Sequence, residues 1–89
     1  MEFVLYQRPR EKLQSKGVKA LSVVELLQVI LGSGSPDASG AKIARLIEKL
    51  MIDNDVTYET LLSIRGVGNA KTCQILAAFE LSKRMMPHE

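Results

Sequence analysis

The fold of this 89-residue chain is decided by one stretch, Leu61-Leu62-Ser63-Ile64-Arg65-Gly66-Val67-Gly68-Asn69-Ala70-Lys71-Thr72. An apolar helical pattern ends at Ile64, two glycines follow, and a second helical pattern starts near Asn69. Glycine permits positive φ and the close approach of another group. The second helix points its unpaired amides and positive dipole end back at the turn, a geometry that can hold a phosphate. A helix connector with glycine caps would have the same sequence, so both interpretations stay open.

Composition indicates one small globular domain with a modest charge. Apolar residues make up 46% of the chain and charged residues 25%, which is an ordinary balance for a folded domain. The net charge of +2 is far below that of a strong duplex-DNA binder, and it permits a weak polyanion site. We predict a segment at 1–7 that is extended or partly disordered, a single domain over 8–86, and a tail at 87–89.

The remaining global features favour a soluble, cytoplasmic protein without a cofactor. Cys73 is the only cysteine, which excludes an intramolecular disulfide, and we expect it to be a buried, reduced thiol. The segment 1–6 is too short for a signal peptide and carries Glu2. No apolar run reaches the roughly 18 residues that a membrane span requires, so no membrane partner is expected.

Two helices are predicted before the first pair of glycines. Pro9 suits the first turn of a helix and Gly17 its C-terminal cap. The segment carries four basic residues, Arg8, Arg10, Lys12 and Lys16. It is therefore either a solvated surface helix or a basic arm that touches nucleic acid or a partner. Ser22 and Glu25 form a capping box for the next helix, which ends at Gly32. That helix should be buried on most sides, with one apolar face of Val23, Leu26, Leu27 and Ile30.

Three further helices follow the serine-rich loop, and Ser39 or Asp37 is available as the N-cap of the first of them. The segment Ala41–Ile52 has the cleanest amphipathic spacing, with a core face of Ile43, Leu46, Ile47 and Leu50 and a basic face of Lys42, Arg45 and Lys49. Thr57 caps a short helix whose inward residues are Tyr58, Leu61 and Leu62. The last helix runs to about Met85 with a core stripe of Thr72, Ile75, Leu76 and Phe79. No segment alternates like a strand, so we predict an all-α fold of about five helices.

The chain also contains an internal repeat. An apolar helix, a G-x-G turn and an Ala-Lys pair occur at 25–42 and again at 60–71, with a serine-rich insertion in the first copy. Two such units can pack face to face, and a pseudo-two-fold would direct both turns at the two strands of a duplex. The first copy and the helix after it supply the secondary DNA contacts that we predict, Gly32, Gly34, Lys42 and Arg45. The serine-rich insertion favours the alternative that the first G-x-G turn only connects two helices.

The second copy resembles the helix–hairpin–helix motif of DNA-repair and replication proteins, and the whole chain resembles the N-terminal domain of the RadC family (UPF0758). The resemblance covers roughly residues 8–84 and includes Arg8-Pro9-Arg10-Glu11-Lys12-Leu13, Glu25-Leu26-Leu27, Ile30-Leu31-Gly32-Ser33-Gly34 and Gly66-Val67-Gly68-Asn69-Ala70-Lys71. It implies a compact tandem helix–hairpin–helix (SAM-like) domain that binds DNA. Arg65 stands where many such motifs have proline, which loosens the hairpin and adds a charge within reach of a phosphate.

The family resemblance further implies a C-terminal JAB/MPN domain with a His-x-His…Ser…Asp zinc site. The only histidine here is His88, so this chain assembles no metal-ligand set and is either an excised domain or a short homologue. We predict that it is not an enzyme, since Cys73 also lacks a catalytic or redox partner.

The predicted function is sequence-independent binding of duplex or branched DNA through backbone phosphate. The predicted contacts are the hairpin residues Arg65, Gly66, Val67, Gly68, Asn69, Ala70 and Lys71. The alternative is a protein-interaction or regulatory domain that docks on another protein or on a JAB/MPN metal-dependent peptidase or nuclease domain, which is absent from these residues. The sequence makes no prediction of the oligomeric state.

Overall fold

A computed structural model describes residues 8–32 and 39–86, with side chains from 40 onward in the second range. All regular elements in these ranges are helical, which confirms the all-α prediction. They are α1 (Pro9–Lys16), a 3₁₀ turn (Val18–Ala20), α2 (Val23–Leu31), α3 (Ser39–Ile52), α4 (Tyr58–Leu62) and α5 (Asn69–Met85). The predicted N-terminal segment 1–7, the loop that contains Gly34 and Asp37, and the tail 87–89 lie outside the described residues.

The predicted start and stop residues of the first two helices are confirmed. Pro9 is the first residue of α1, and Gly17 closes that helix with φ +90°. At the start of α2, the Glu25 amide donates to the Ser22 hydroxyl at 3.1 Å and the Ser22 amide donates to the Glu25 carboxylate at 2.8 Å. Gly32 ends α2 in the left-handed conformation, where an L side chain is disfavoured. These caps depend only on nearby residues, which is why the sequence reveals them.

Two consecutive helix pairs make the core. Helix α2 packs against α3, α4 packs against α5, and α2 also contacts α5, which joins the pairs. The buried cluster takes residues from four helices, Leu27, Leu31, Ala44, Ile47, Leu61 and Ile75. The core stripe predicted on α5 is confirmed. Thr72 and Ile75 are buried, and Leu76 and Phe79 pack against the cluster.

The predicted core faces of α2 and α3 are wrong in part. Leu46 is 43% exposed, and Ala44 is fully buried in its place. The buried face of α3 is centred on Ile47, and Leu46 lies about 100° away from it around the helix. In α2 the buried edge is Leu27 and Leu31, whereas Val23 and Ile30 are exposed. The other five residues of α2 are half-buried, so the prediction that this helix is buried on most sides is confirmed only in part.

Three further burial predictions are also corrected. Thr57 caps α4 as predicted, and its hydroxyl accepts the Thr60 amide, but only Leu61 of the expected inward residues is buried. Tyr58 and Leu62 are exposed, because a helix of five residues turns only one position fully inward. Cys73 is exposed as well, since it follows Thr72 by about 100° around α5 and so leaves the core stripe.

Two polar contacts link neighbouring helices to α2. Lys12 pairs with Glu25 at 3.1 Å, so this member of the basic segment holds α1 against α2. The hydrogen bond from the Ser22 amide, followed by that from Lys12, lowers the pKa of the Glu25 carboxyl. Gln74 donates to the Ile30 carbonyl at 2.9 Å and thereby ties α5 to the C-terminal end of α2. No helix in the described ranges is long and apolar enough to cross a membrane.

Candidate nucleic-acid interface

The turn between α4 and α5 is a tight hairpin anchored by one valine. The Ile64 amide donates to the Leu61 carbonyl at 3.1 Å, and the Val67 amide donates to the Ile64 carbonyl at 3.0 Å. Val67 is only 4% exposed, while the glycines on either side of it lie at the surface. The valine therefore packs inward, as its apolar side chain requires, and presents the two flanking glycines to solvent.

Gly66 has a complete structural explanation. Its φ is +95°, a region that L side chains rarely adopt. A Cβ placed on Gly66 would also lie 2.9 Å from Cδ1 of Ile43 in α3, inside van der Waals contact. The backbone angle by itself favours glycine at this position, whether or not the hairpin binds anything, and a Cβ would in addition require the end of the Ile43 side chain to shift.

Gly68 has no such explanation within the fold. Its φ of −93° and ψ of −169° are extended backbone that any residue adopts. A Cβ at this position would meet no atom within 4 Å. It is the N-cap of α5, where serine, threonine, aspartate or asparagine would add a capping bond that glycine cannot make. The missing side chain leaves open space directly in front of the helix.

The first turn of α5 presents its backbone amides to that space. The Thr72 amide makes the first helical bond, to the Gly68 carbonyl at 3.0 Å. The amides of Asn69, Ala70 and Lys71 precede it, and amides in these positions have no acceptor within a helix. No side-chain hydrogen bond from the N-cap covers them. Together with the helix dipole, they form a partially positive surface that suits an anion.

A contact that the sequence analysis missed holds the start of α5 in place. The Tyr58 hydroxyl donates to the side-chain carbonyl of Asn69, which joins the first residues of α4 and α5. The residues are eleven apart, so no local spacing rule connects them. The contact gives the exposed Tyr58 a positioning role and fixes the orientation of the Asn69 side chain.

Cationic side chains flank the hairpin. Arg65 is exposed immediately before Gly66, and Lys71 is half-buried in the first turn of α5. The contact between Gly66 and Ile43 brings α3 to the hairpin, and the exposed Lys42 is adjacent to Ile43 in sequence. Arg45 is exposed one turn further along α3. The predicted DNA contacts from Arg65 to Lys71 therefore lie along one continuous segment, and Ile43 of α3 contacts that segment at Gly66.

Gly32, the first glycine of the other G-x-G pattern, differs from the two glycines of the second hairpin. Gly32 uses its amide to close α2, donating to the carbonyls of Gln28 and Val29. A helix C-terminus, with its partial negative charge, therefore faces the first glycine. A small depression of about 160 Å³ lies beside it and is lined on one side by Arg8 and Arg10. These two arginines bring the basic segment of α1 next to Gly32 and the end of α2, an arrangement that sequence spacing did not predict.

The described part of the chain offers little other site chemistry. No group of three or more histidine, cysteine or acidic residues within it could hold a metal ion. His88 lies outside the described residues. The Lys49–Asp53 pair spans 3.7 Å and is largely exposed, so it is a helix-surface pair of small energetic weight.

Comparison with known proteins adds a family to this geometry. A family profile described as UPF0758 N-terminal matches residues 2–73. The chain belongs to the UPF0758 family. A UPF0758 protein of Alkaliphilus oremlandii is 46% identical in an alignment 84 positions long that covers 89% of this chain and 36% of that protein. UPF0758 proteins of Bacillus cereus and Bacillus anthracis are each 43% identical in alignments 89 positions long, gaps included, that cover 96% of this chain and 40% of the relative. No solved structure matches the chain.

The UPF0758 relatives are considerably longer than these 89 residues. The chain spans 36–40% of their length, and the match is to the N-terminal part of the family. The predicted family resemblance is therefore confirmed, including its restriction to the N-terminal domain. The names of these relatives state no substrate or activity, so a function for the hairpin has to be argued from its geometry.

Proposed function

We propose that this UPF0758 N-terminal domain binds DNA without sequence preference, and that the second hairpin holds a backbone phosphate. The observation that carries the proposal is the contrast between Gly66 and Gly68. Packing and backbone angle account for Gly66, but nothing inside the fold requires Gly68 to lack a side chain. A group that approaches the α5 amides from outside accounts for the bare N-cap, because any capping side chain would fill its place.

The surrounding charges suit phosphate as that group. Arg65 and Lys71 bracket the open amides, and phosphate oxygens accept hydrogen bonds from backbone amides and from cationic side chains alike. The mild net charge of +2 limits the long-range attraction. We therefore expect weak binding, with a dissociation constant on the order of 10⁻⁴ to 10⁻⁶ M at physiological salt. The proposal gives the chain a binding role and no catalytic step.

A pair of substitutions at Gly68 tests the proposal directly. Asparagine and aspartate cap helices about equally well, so Gly68→Asn and Gly68→Asp should each stabilise the fold by a few tenths of a kcal/mol. Both side chains would occupy the amides that the phosphate needs. We expect both variants to weaken binding of a short DNA duplex in an NMR titration, and Gly68→Asp to weaken it more because it adds a negative charge. Stability and affinity then move in opposite directions, which separates this effect from unfolding.

A second pair controls for overall charge. Lys71→Glu and Lys83→Glu change the net charge equally and lie on the same helix, at its first and last turns. Lys71→Glu should weaken DNA binding, and Lys83→Glu should have much less effect. Equal losses would assign the binding to net charge alone and contradict a site at the hairpin.

Salt dependence gives an independent readout. A hairpin that neutralises one or two phosphates predicts a roughly 3- to 12-fold loss of affinity between 50 and 200 mM salt. Duplex and branched DNA of several sequences should shift the amide resonances of Gly68–Lys71. The proposal is wrong if the domain shows no DNA binding even at low ionic strength, or if Gly68→Asn leaves the affinity unchanged.

A further inference from the structure

A second surface lies at the opposite end of α5 from the hairpin. An open groove of about 550 Å³ separates the C-terminal half of α5 from the end of α3 and the segment before α4. Its apolar lining comes from three elements and comprises Met51, Val56, Leu76 and Phe79. Glu80 and Lys83 stand at the groove with opposite charges. Such a surface fits an apolar segment flanked by mixed charges, and the flexible Met51 allows it to adapt to its occupant.

Apolar side chains outside the groove are exposed as well. All residues from Glu80 to Met86 are exposed, and they include Leu81 and Met86 as well as Met85, which is 75% exposed. Ile52, the last residue of α3, is 76% exposed next to Met51. In the described structure, the final turns of α5 therefore carry apolar side chains that the domain itself does not cover.

The size of the groove favours a tethered occupant. Four apolar side chains present far less than the roughly 800 Å² that each partner buries in a specific interface between separate molecules. A second copy of the chain, or a free protein, would gain too little here for stable association. A segment of the same polypeptide needs much less, because a short flexible linker gives an effective concentration in the millimolar range.

The longer relatives supply a tethered segment at the right place. The chain covers only 36–40% of their length, and the match is to their N-terminal part. Lys83 at the groove is three residues from Met86, which is roughly 4.5 Å along a helix axis. Met86 is the last residue that the structure describes, and it lies within about one helical turn of Lys83 at the groove.

We propose that the groove defined by Met51, Val56, Leu76 and Phe79 docks the C-terminal part that the longer UPF0758 proteins carry. The docked segment presents apolar residues to the groove and fixes the N-terminal domain against the rest of the molecule. The hairpin at the other end of α5 stays exposed in this arrangement. The inference is independent of DNA binding, since it rests on a different surface and a different ligand.

The test uses the methyl group of Met51 as a probe. The chain has four methionines, so methyl-labelled methionine gives a simple NMR spectrum. We would compare the 89-residue chain with a fusion in which the unmatched C-terminal part of the Alkaliphilus relative follows residue 89, through a protease-cleavable linker. Met85 and Met86 lie near the junction and will shift in any fusion. Met51 lies far from the junction in sequence and reports the groove itself.

The expected result is a shifted Met51 signal in the fusion that returns to its free position when the linker is cut and the sample is diluted to about 10 µM, well below the millimolar effective concentration of the tether. An unshifted Met51 signal in the intact fusion overturns the proposal. A Met51 shift that grows with concentration in the 89-residue chain alone assigns the groove to a second copy and also overturns it.

A matched pair of variants provides a second measurement. Met51→Glu places a charge in the groove, while the neighbouring Ile52→Glu places the same charge on a side chain that does not line it. Fusion should slow amide hydrogen exchange over residues 81–85, the uncovered turns of α5. Met51→Glu should remove this extra protection and Ile52→Glu should retain it. Equal behaviour of the two variants contradicts docking in the groove.

Discussion

Thr72→Val should make the protein more stable. Thr72 is fully buried in the first turns of α5, and its hydroxyl oxygen has no hydrogen-bond partner in the described structure. A buried hydroxyl without a partner costs about 1–3 kcal/mol. Valine has nearly the same shape and a similar helix propensity, so the substitution removes the hydroxyl and leaves no cavity. The gain should therefore be about 1–3 kcal/mol.

Chemical denaturation measures this gain directly, as a higher midpoint at an unchanged m-value. In a thermal melt, each kcal/mol should raise the midpoint by about 4–8 °C for a domain of this size. Thr60→Val is the matched control. The Thr60 hydroxyl donates to the Asp55 carbonyl at 2.7 Å, so the same substitution there should lower stability by about 0.5–1.5 kcal/mol.

The refuting result is a loss of stability in Thr72→Val. It would mean that the hydroxyl has a partner in solution, either a buried water or the backbone of the preceding turn. Thr72→Ser separates the contributions of the two groups on the side chain. It keeps the hydroxyl and deletes one methyl group, and should cost about 1 kcal/mol.

Three further outcomes follow from contacts elsewhere in the fold. The Glu25 carboxyl has a lowered pKa because the Ser22 amide and Lys12 bind its charged form, so its stabilising contribution is complete above about pH 4.5 and declines as the pH falls toward the folded-state pKa. Glu25→Gln should flatten this part of a stability–pH curve, and an unchanged curve contradicts the assignment. Gln74→Ala should lower the free energy of unfolding by about 0.5–1.5 kcal/mol, because it removes the hydrogen bond from α5 to the Ile30 carbonyl of α2. An unchanged free energy of unfolding would mean that this bond does not form in solution. Cys73 should react with a thiol reagent in the native protein, whereas reaction only after unfolding would show that its thiol is buried.

The sequence was most informative where structure is set by neighbours along the chain. The capping box of Ser22 and Glu25, the left-handed Gly32 and the N-cap Thr57 could all be predicted, because each joins residues three or four positions apart. The resulting helix limits, together with the G-x-G turn, were enough to predict an all-α domain and to locate the hairpin.

The sequence was less informative about which apolar residues are buried. Leu46 and Tyr58 were predicted to face inward, but a small domain has too little interior to enclose every apolar side chain. The choice of Ala44 over Leu46 depends on how closely α2 approaches α3, which is a property of the assembled helices. Cys73 illustrates the same point, because one step around α5 separates the core stripe from solvent.

At the candidate site, the sequence could supply the residue types but could not assign their separate roles. Gly66 and Gly68 look equivalent in a G-x-G pattern. The structure distinguishes them, since only Gly66 has a positive φ and a neighbouring helix at its α-carbon. The contact between Tyr58 and Asn69 was equally invisible, because it forms only when α4 and α5 pack.

The contact between Ile43 and Gly66 also affects whether the hairpin could be transferred to another protein. Ile43 belongs to α3, so a helix from the other pair supports the turn from behind. A peptide that contains only α4, the turn and α5 would keep the sequence pattern and lose this support. Grafting the motif onto another protein would therefore require an equivalent of α3. Any force that a ligand exerts on the turn would likewise pass into α3 and be shared by both helix pairs.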